Sequence, residues 1–313
     1  MGKYIITIDT GTTNTRCILW NDKREDIAVE KRAVGVRNTA MDGNNSKLTQ
    51  AVKSCLDELL QKNGLTYEDI KCIIASGMIT SNVGLVEIPH VVAPVSKEDL
   101  ARRTTAVLLE NVCPVPIWFI PGVKNYGHEI TLDNFESMDI MRGEEVESFA
   151  MIEDLPRGEE YLLVLPGSHT KFVKVNRQGQ ITSCLTTITG ELLASITNNT
   201  IIADALGRQF VEVDTYDRDM MLLGYDTASR SGIGRSCFSG RILNQFAIKD
   251  KSKIANFITG VVLQNDITAI KNSSALSVSR DTKVVVGGNE PQRTMFVDIL
   301  RHDGYFAHVE CFD

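Results

Sequence analysis

Residues 3–8, Lys-Tyr-Ile-Ile-Thr-Ile, form an apolar run that reads as a buried strand, and Asp9-Thr10-Gly11-Thr12-Thr13 turns the chain into a second strand over 15–20. This is a hairpin with a hydroxyl-rich tip. Asn21-Asp22-Lys23 turns it again toward a third strand near 27–36, followed by a polar loop through Ser46. Leu48, Val52, Leu56, Leu59 and Leu60 then recur at helical spacing, with Asn45 or Ser46 placed to cap the start and Gly64 the end. Residues 71–76 make the next strand, so the order is β-β-β-α-β.

The second half repeats that order. Residues 161–165 read as a strand, Pro166-Gly167-Ser168-His169-Thr170 as a turn, 171–175 as the returning strand, 180–187 as a third strand and 191–206 as a helix. Turn glycines as far apart as Gly11 and Gly167 predict a duplicated two-domain chain rather than a short-period solenoid. Residues 143–153 have helical character and could link the two halves, and Pro156-Arg157-Gly158 breaks the pattern. The expected division is therefore 1–145 and 146–313. Residues 214–241, rich in Gly, Ser, Arg and Asp, read as loop. Helices over 252–271 and 291–301 and strands over 283–286 and 305–311 complete the chain.

At roughly 150 residues per domain, 313 residues also suggest two domains. Hydrophobic residues at 43% and charged residues at 23% are those of an ordinary folded protein. A net charge of −7 opposes general binding to a phosphate backbone, which excludes nucleic acid as the main expected partner. The seven cysteines contain no C-x-x-C, so neither a zinc site nor a disulfide framework is expected. The first residues are too short for a signal-peptide core, Ile6 stands where myristoylation needs Ser or Thr, and no apolar run is long enough to span a membrane. The expected setting is the reducing cytoplasm, without membrane contact. A homodimer is compatible with the sequence.

A strand that ends in Asp9 and turns through Gly11, Thr12 and Thr13 offers N–H groups and hydroxyls to a phosphate, with a carboxylate near a bound Mg²⁺. One such turn is equally well explained by turn geometry. The second, with Gly167, Ser168, Thr170 and Lys171, changes the balance: two such turns could clamp one polyphosphate. His169 could donate to a phosphate or, as the simpler reading, fill the turn.

Paired β-β-β-α-β units with such hairpins resemble the actin, hexokinase and Hsp70-like ATPase fold: α/β, two ribonuclease H-like lobes and an interlobe nucleotide cleft. That resemblance implies ATP and Mg²⁺ as cofactors, with Asp9 holding the metal through water. It also implies an adenosine-approaching element, for which Gly287-Gly288 after the strand 283–286 is the match. In related sugar kinases a Gly-Asp pair opens the interlobe helix. Here the pair is Gly143-Glu144, which makes Glu144 the first candidate to accept the hydroxyl proton and Asp139 the second, with Arg142 placed to offset phosphate charge. Members of that fold generally finish with a helix returning to the first lobe, whereas this chain ends just after its last expected strand.

Four blocks narrow the resemblance: Gly77-Met78-Ile79-Thr80-Ser81-Asn82-Val83-Gly84, Met141-Arg142-Gly143-Glu144-Glu145, Pro166 to Lys171, and Thr189-Gly190-Glu191-Leu192. In that order they closely resemble the 2-dehydro-3-deoxygalactonokinases. The resemblance implies ATP-dependent phosphorylation of 2-dehydro-3-deoxy-D-galactonate at O6 in galactonate catabolism. The first block suits a polyol: Gly77 lets backbone approach a ligand, and Met78, Thr80, Ser81 and Asn82 follow it, three of them with hydrogen-bonding side chains. For the substrate carboxylate the sequence offers Arg142, Lys171, the arginines of 214–241 or helix-end N–H groups. Two alternatives stay open: a same-fold kinase for another sugar or sugar acid, and a nucleotide or sugar sensor that keeps the clamp without turnover.

Overall fold

The computed structural model describes residues 2–312 and divides into two compact units, Met1–Gly127 with Ile140–Asp154, and His128–Asp139 with Leu155–Asp313. In the first unit the elements run β1 (Tyr4–Thr10), β2 (Thr15–Trp20), β3 (Asp26–Arg32), α1 (Val36–Asp42), α2 (Ser46–Lys62), β4 (Ile70–Gly77), β5 (Val91–Val92), α3 (Lys97–Arg103), β6 (Thr105–Val107), β7 (Ile117–Phe119), β8 (Val123–Lys124), β9 (Ile140–Met141) and α4 (Glu144–Asp154). Six strands form one sheet in the order β3-β2-β1-β4-β7-β6, with β1 antiparallel to β2 and parallel to β4. Alternation sets its buried face: Ile6, Ile8, Cys17, Leu19, Ile73, Ala75, Ile117 and Phe119 pack with Leu48, Val52, Leu56 and Leu59 of α2. The division expected at residue 145 falls inside α4, which lies wholly in this unit.

The second unit contains β10 (Tyr161–Leu165), β11 (Thr170–Val175), β12 (Ile181–Thr187), α5 (Thr189–Asn199), α6 (Ala203–Leu206), α7 (Arg218–Phe246), α8 (Lys251–Asn272), β13 (Lys283–Val286), α9 (Gln292–Asp303) and β14 (Val309–Cys311). Its sheet order, β12-β11-β10-β13-β14, repeats the first five positions of the other sheet, with β10 antiparallel to β11 and parallel to β13. Every residue of β10 and β11 is buried, as expected for strands covered on both faces. The expected duplication is present. In this copy, however, four helices rather than two separate the third strand from the fourth.

Two segments depart from the sequence-based expectation. The polar loop expected up to Ser46 contains α1, whose amides serve the first hairpin as described below. The loop expected over 214–241 is most of α7, a long helix interrupted at Gly232, where φ is +73°. Gly224 is a packing residue: a Cβ there would lie 1.9 Å from the Phe257 carbonyl oxygen, and one at Gly260 of α8 would lie 1.8 Å from that of Met221. The composition that reads as loop is the one that lets two helix backbones meet. No helix among the described residues is long and apolar enough to cross a membrane.

Candidate active site

In the first unit three chain segments converge where the parallel strands β1 and β4 end. Asp9 and Thr10 close β1, and the exposed tip Gly11 to Asn14 is pinned by Gly11 N–H donating to the Asn14 carbonyl at 2.9 Å. Thr10 and Thr15 stay buried beneath it, their hydroxyls 3.2 Å apart. From behind, Val36 and Arg37 N–H at the start of α1 donate to the Gly11 and Thr12 carbonyls at 3.2 and 2.9 Å. The tip is thus held by backbone, leaving the hydroxyls of Thr12 and Thr13 at the surface.

Gly77 ends β4 beside Asp9. Its φ is +84°, and a Cβ there would stand 2.6 Å from the Thr10 carbonyl oxygen and 3.1 Å from Asp9 Oδ1. The third segment arrives at Gly143, where a Cβ would lie 3.1 Å from Gly77 Cα, and Glu144 then opens α4. Glu144 Oε2 accepts from Arg142 N–H at 3.0 Å. Burial raises the Asp9 carboxyl above its ordinary value, Arg16 at 3.6 Å opposes the rise, and the negative charge of Glu144 adds to it. Glu147 is raised by burial and then by Glu144 and Asp9. The charge of Glu144 therefore adds to the burial that raises both Asp9 and Glu147.

Glu145, next in the chain, was not singled out by sequence. It is fully buried, Oε2 accepts from Gly143 N–H at 2.7 Å, and Oε1 has no hydrogen-bond partner. Burial pushes its carboxyl up to about 7. Because the folded-state value lies above the ordinary 4.5, folding takes up a proton between those values, and stability falls as pH rises through that window. The loss is about 3 kcal/mol by pH 8. Glu145→Gln should flatten this part of the stability curve in urea titrations between pH 5 and 8; an unchanged slope would contradict the assignment.

Arg142 is committed elsewhere. Its guanidinium donates to the Thr80 carbonyl and hydroxyl at 2.6 and 2.5 Å and to the Ile88 carbonyl at 3.0 Å, and it lies against the His90 ring nitrogens at 3.1 and 3.2 Å. Burial lowers its pKa. The residue ties the start of α4 to the 78–90 segment rather than presenting a free guanidinium. Within that segment the Thr80 hydroxyl donates to the Gly77 carbonyl and the Ser81 hydroxyl to that of Met78, both side chains being buried. Met78 is partly buried against the core, which leaves Asn82 as the exposed polar side chain of the expected polyol set.

In the second unit, Gly167, Ser168 and His169 form the exposed turn between β10 and β11. Gly190 N–H and Glu191 N–H, in the first turn of α5, donate to the Ser168 carbonyl at 3.1 and 3.3 Å. A Cβ at Gly190 would lie 2.6 Å from the Gly167 carbonyl oxygen and 2.7 Å from Ser168 Cα, so no larger residue fits. His169 Nε2 sits 2.9 Å from Glu191 Oε1, in line with the turn-filling reading. Thr170 is buried and its hydroxyl has no partner, so Ser168 carries the exposed hydroxyl of this turn. Lys171 is also buried: Nζ donates to Thr186 Oγ1 at 2.5 Å, and Thr186 gives its N–H and hydroxyl to Asp139 at 2.6 and 2.7 Å. Asp139 therefore belongs to a network of the second unit, whereas Glu144 belongs to the first. Gly287 N–H donates to the Val164 carbonyl at 2.9 Å, and a Cβ at Gly288 would meet Pro166 Cδ at 3.2 Å, which brings the Gly-Gly pair against the same turn.

Among the described residues no three His, Cys, Asp or Glu side chains group to hold a metal unaided. Mg²⁺ keeps several waters and takes one or two carboxylates together with substrate phosphates. Asp9, half exposed and crowded by acidic neighbours, is the residue that could serve it.

The sequence model of the 2-keto-3-deoxy-galactonokinase family matches residues 9–311, which spans the first hairpin, Glu144, the second hairpin and the Gly-Gly pair. The chain belongs to this family. It is accordingly a phosphotransferase with an alcohol acceptor, a sugar-acid kinase. Among solved structures it is similar to a Sinorhizobium meliloti protein assigned as a 2-dehydro-3-deoxygalactonokinase, with a TM-score of 0.75 and 21% identity over 99% of this chain and 93% of that one. The activator of 2-hydroxyisocaproyl-CoA dehydratase from Clostridium difficile, with bound ADPNP, gives 0.46 and 13% over 99% and 88%. Component A of the Acidaminococcus fermentans (R)-2-hydroxyglutaryl-CoA dehydratase gives 0.46 and 15% over 99% and 92%. No curated protein matches the chain. The fold is that of the actin-like ATPases, as expected from the paired units.

Proposed function

We propose that the protein transfers the γ-phosphoryl group of Mg-ATP to O6 of 2-dehydro-3-deoxy-D-galactonate. The observation that carries this reading is the convergence of Asp9, Gly77 and Gly143-Glu144 at the ends of β1 and β4, inside a chain whose family phosphorylates a keto-deoxy sugar acid. Glu144 accepts the hydroxyl proton as the alcohol attacks, and Asp9 orients the hydrated cation. Mg²⁺, when bound, neutralises charge on the phosphoryl oxygens. Thr12, Thr13 and the Gly11 turn in the first unit, and Gly167 and Ser168 in the second, offer N–H and hydroxyl donors to phosphate. Thr170 and Lys171 lie buried behind the second turn and shape it. Gly287 and Gly288, packed against the same turn, approach the adenosine.

The sugar acid is read by the 77–82 segment. Met78, Thr80 and Ser81 build that turn, Arg142 holds it to the start of α4, and Asn82 faces solvent with its amide available. The seven free cysteines agree with work in the reducing cytoplasm, where galactonate catabolism takes place. The test is ADP release with Mg-ATP and the galactonate compound, run beside its gluconate epimer and a control without sugar. Release that depends on the galactonate compound is expected. Faster release with the epimer would transfer the assignment to that acid, and release indifferent to sugar would refute the kinase reading.

A further inference from the structure

α8 is buried along most of its length, with Ile254, Phe257, Ile258, Val261, Val262 and Ile267 all in the core, and among these buried residues it carries Asp266, which is 2% exposed. Both Asp266 carboxylate oxygens lie 2.6 Å from Thr189 Oγ1, and that hydroxyl is 2.7 Å from the hydroxyl of Thr187. Thr187 closes β12 and Thr189 opens α5, so the two threonines bracket the junction between strand and helix. The residues after that junction are Gly190 and Glu191, whose N–H groups hold the Ser168 carbonyl. Contacts therefore run from Asp266 through Thr189 and Gly190 to the exposed turn at Gly167-Ser168. Among the described residues the groups holding Asp266 are hydroxyls, with no ion pair.

We propose that Asp266 is a positioning residue for the nucleotide phosphates, fixing the start of α5 and through it the Gly167-Ser168 turn. This rests on the reading that the turn binds ATP. An ionised carboxylate is purely an acceptor and can take both hydroxyls at once, which sets the direction of every hydrogen bond in the junction. Burial without a cation makes it expensive, and its pKa is pushed up to about 6. For the fold alone an amide or an apolar residue would cost less. An amide, however, offers one acceptor and a donor, so it cannot hold both hydroxyls in the same sense.

The variants Asp266→Asn, Thr189→Val and Thr189→Ser test this in the full chain. For the first two, the KM for Mg-ATP should rise about tenfold, with the KM for the sugar acid unchanged and, for Asp266→Asn, no fall in Tm. Thr189→Ser keeps the hydroxyl and should stay near wild type. Calorimetric titration with Mg-ATP alone should show the same loss in Kd. Unchanged ATP affinity in both Asp266→Asn and Thr189→Val would overturn the inference, as would losses for both substrates that track a fall in Tm. A wild-type protein that binds ATP in an Asp266-dependent way but phosphorylates no sugar acid would refute the kinase reading and leave this inference standing. Turnover with an ATP KM indifferent to Asp266 would do the reverse, and wild-type protein that binds no nucleotide would overturn both.

Discussion

Glu144→Gln should lower kcat by about 10²–10⁴-fold, the range a positioned general base supplies, while Mg-ATP binding stays close to wild type. The amide keeps the shape of the side chain and can still accept from Arg142 N–H, as Oε2 does now at 3.0 Å. What it loses is the capacity to take a proton. Its neighbours make the position informative: Asp9 and Glu147 are both raised in part by the charge of Glu144, so the substitution should also let those carboxyls fall toward ordinary values. Steady-state kinetics and calorimetry with Mg-ATP separate the two effects. A Gln variant that turns over like wild type would remove Glu144 from the chemistry. Asp139 would then be the next candidate to test, although its carboxylate already accepts from both the N–H and the hydroxyl of Thr186.

Gly77→Ala should reduce kcat/KM by about 10²-fold, the penalty of moving a reacting group by roughly an ångström. The added Cβ would stand 2.6 Å from the Thr10 carbonyl oxygen and 3.1 Å from Asp9 Oδ1, so β1 or the Asp9 side chain must shift. The backbone conformation adds strain of about 1–3 kcal/mol, since φ is +84°. Gly64→Ala is the control: φ is +64° there and nothing lies within 4 Å of the new carbon. It should cost stability and leave kinetics alone. Matching kinetic losses in the two variants would mean that strain, and not displacement of Asp9, impairs the enzyme.

What the sequence reveals depends on how local the signal is. The strand-turn-strand hairpins at Gly11 and Gly167 are legible because apolar runs, turn residues and returning strands are neighbours in the chain, and their repetition announces the duplicated fold. The helix α7 is not legible, because Gly224 looks like a breaker until Gly260, far along the chain, is seen to press against the same helix. The Gly-Glu pair at the start of α4 is visible as a motif, but its meeting with Gly77 is a tertiary fact. Arg142 is legible only in part. A cation beside acidic residues suggests a phosphate partner, and only the fold shows its donors already engaged by Thr80, Ile88 and His90. Glu145 and Asp266 are missed for a shared reason: a buried carboxyl looks like any surface acid until burial is known. The one hint in the sequence is that Asp266 is the single acid of α8.

The most direct measurement is the phosphorus NMR spectrum of the reaction product formed from Mg-ATP and 2-dehydro-3-deoxy-D-galactonate. Transfer to the primary alcohol O6 predicts a new phosphate monoester resonance split by two methylene protons, growing in step with the ADP signals. A monoester coupled to a single proton would place the phosphoryl group on a secondary hydroxyl, and ADP accompanied only by inorganic phosphate would contradict sugar-acid phosphorylation altogether.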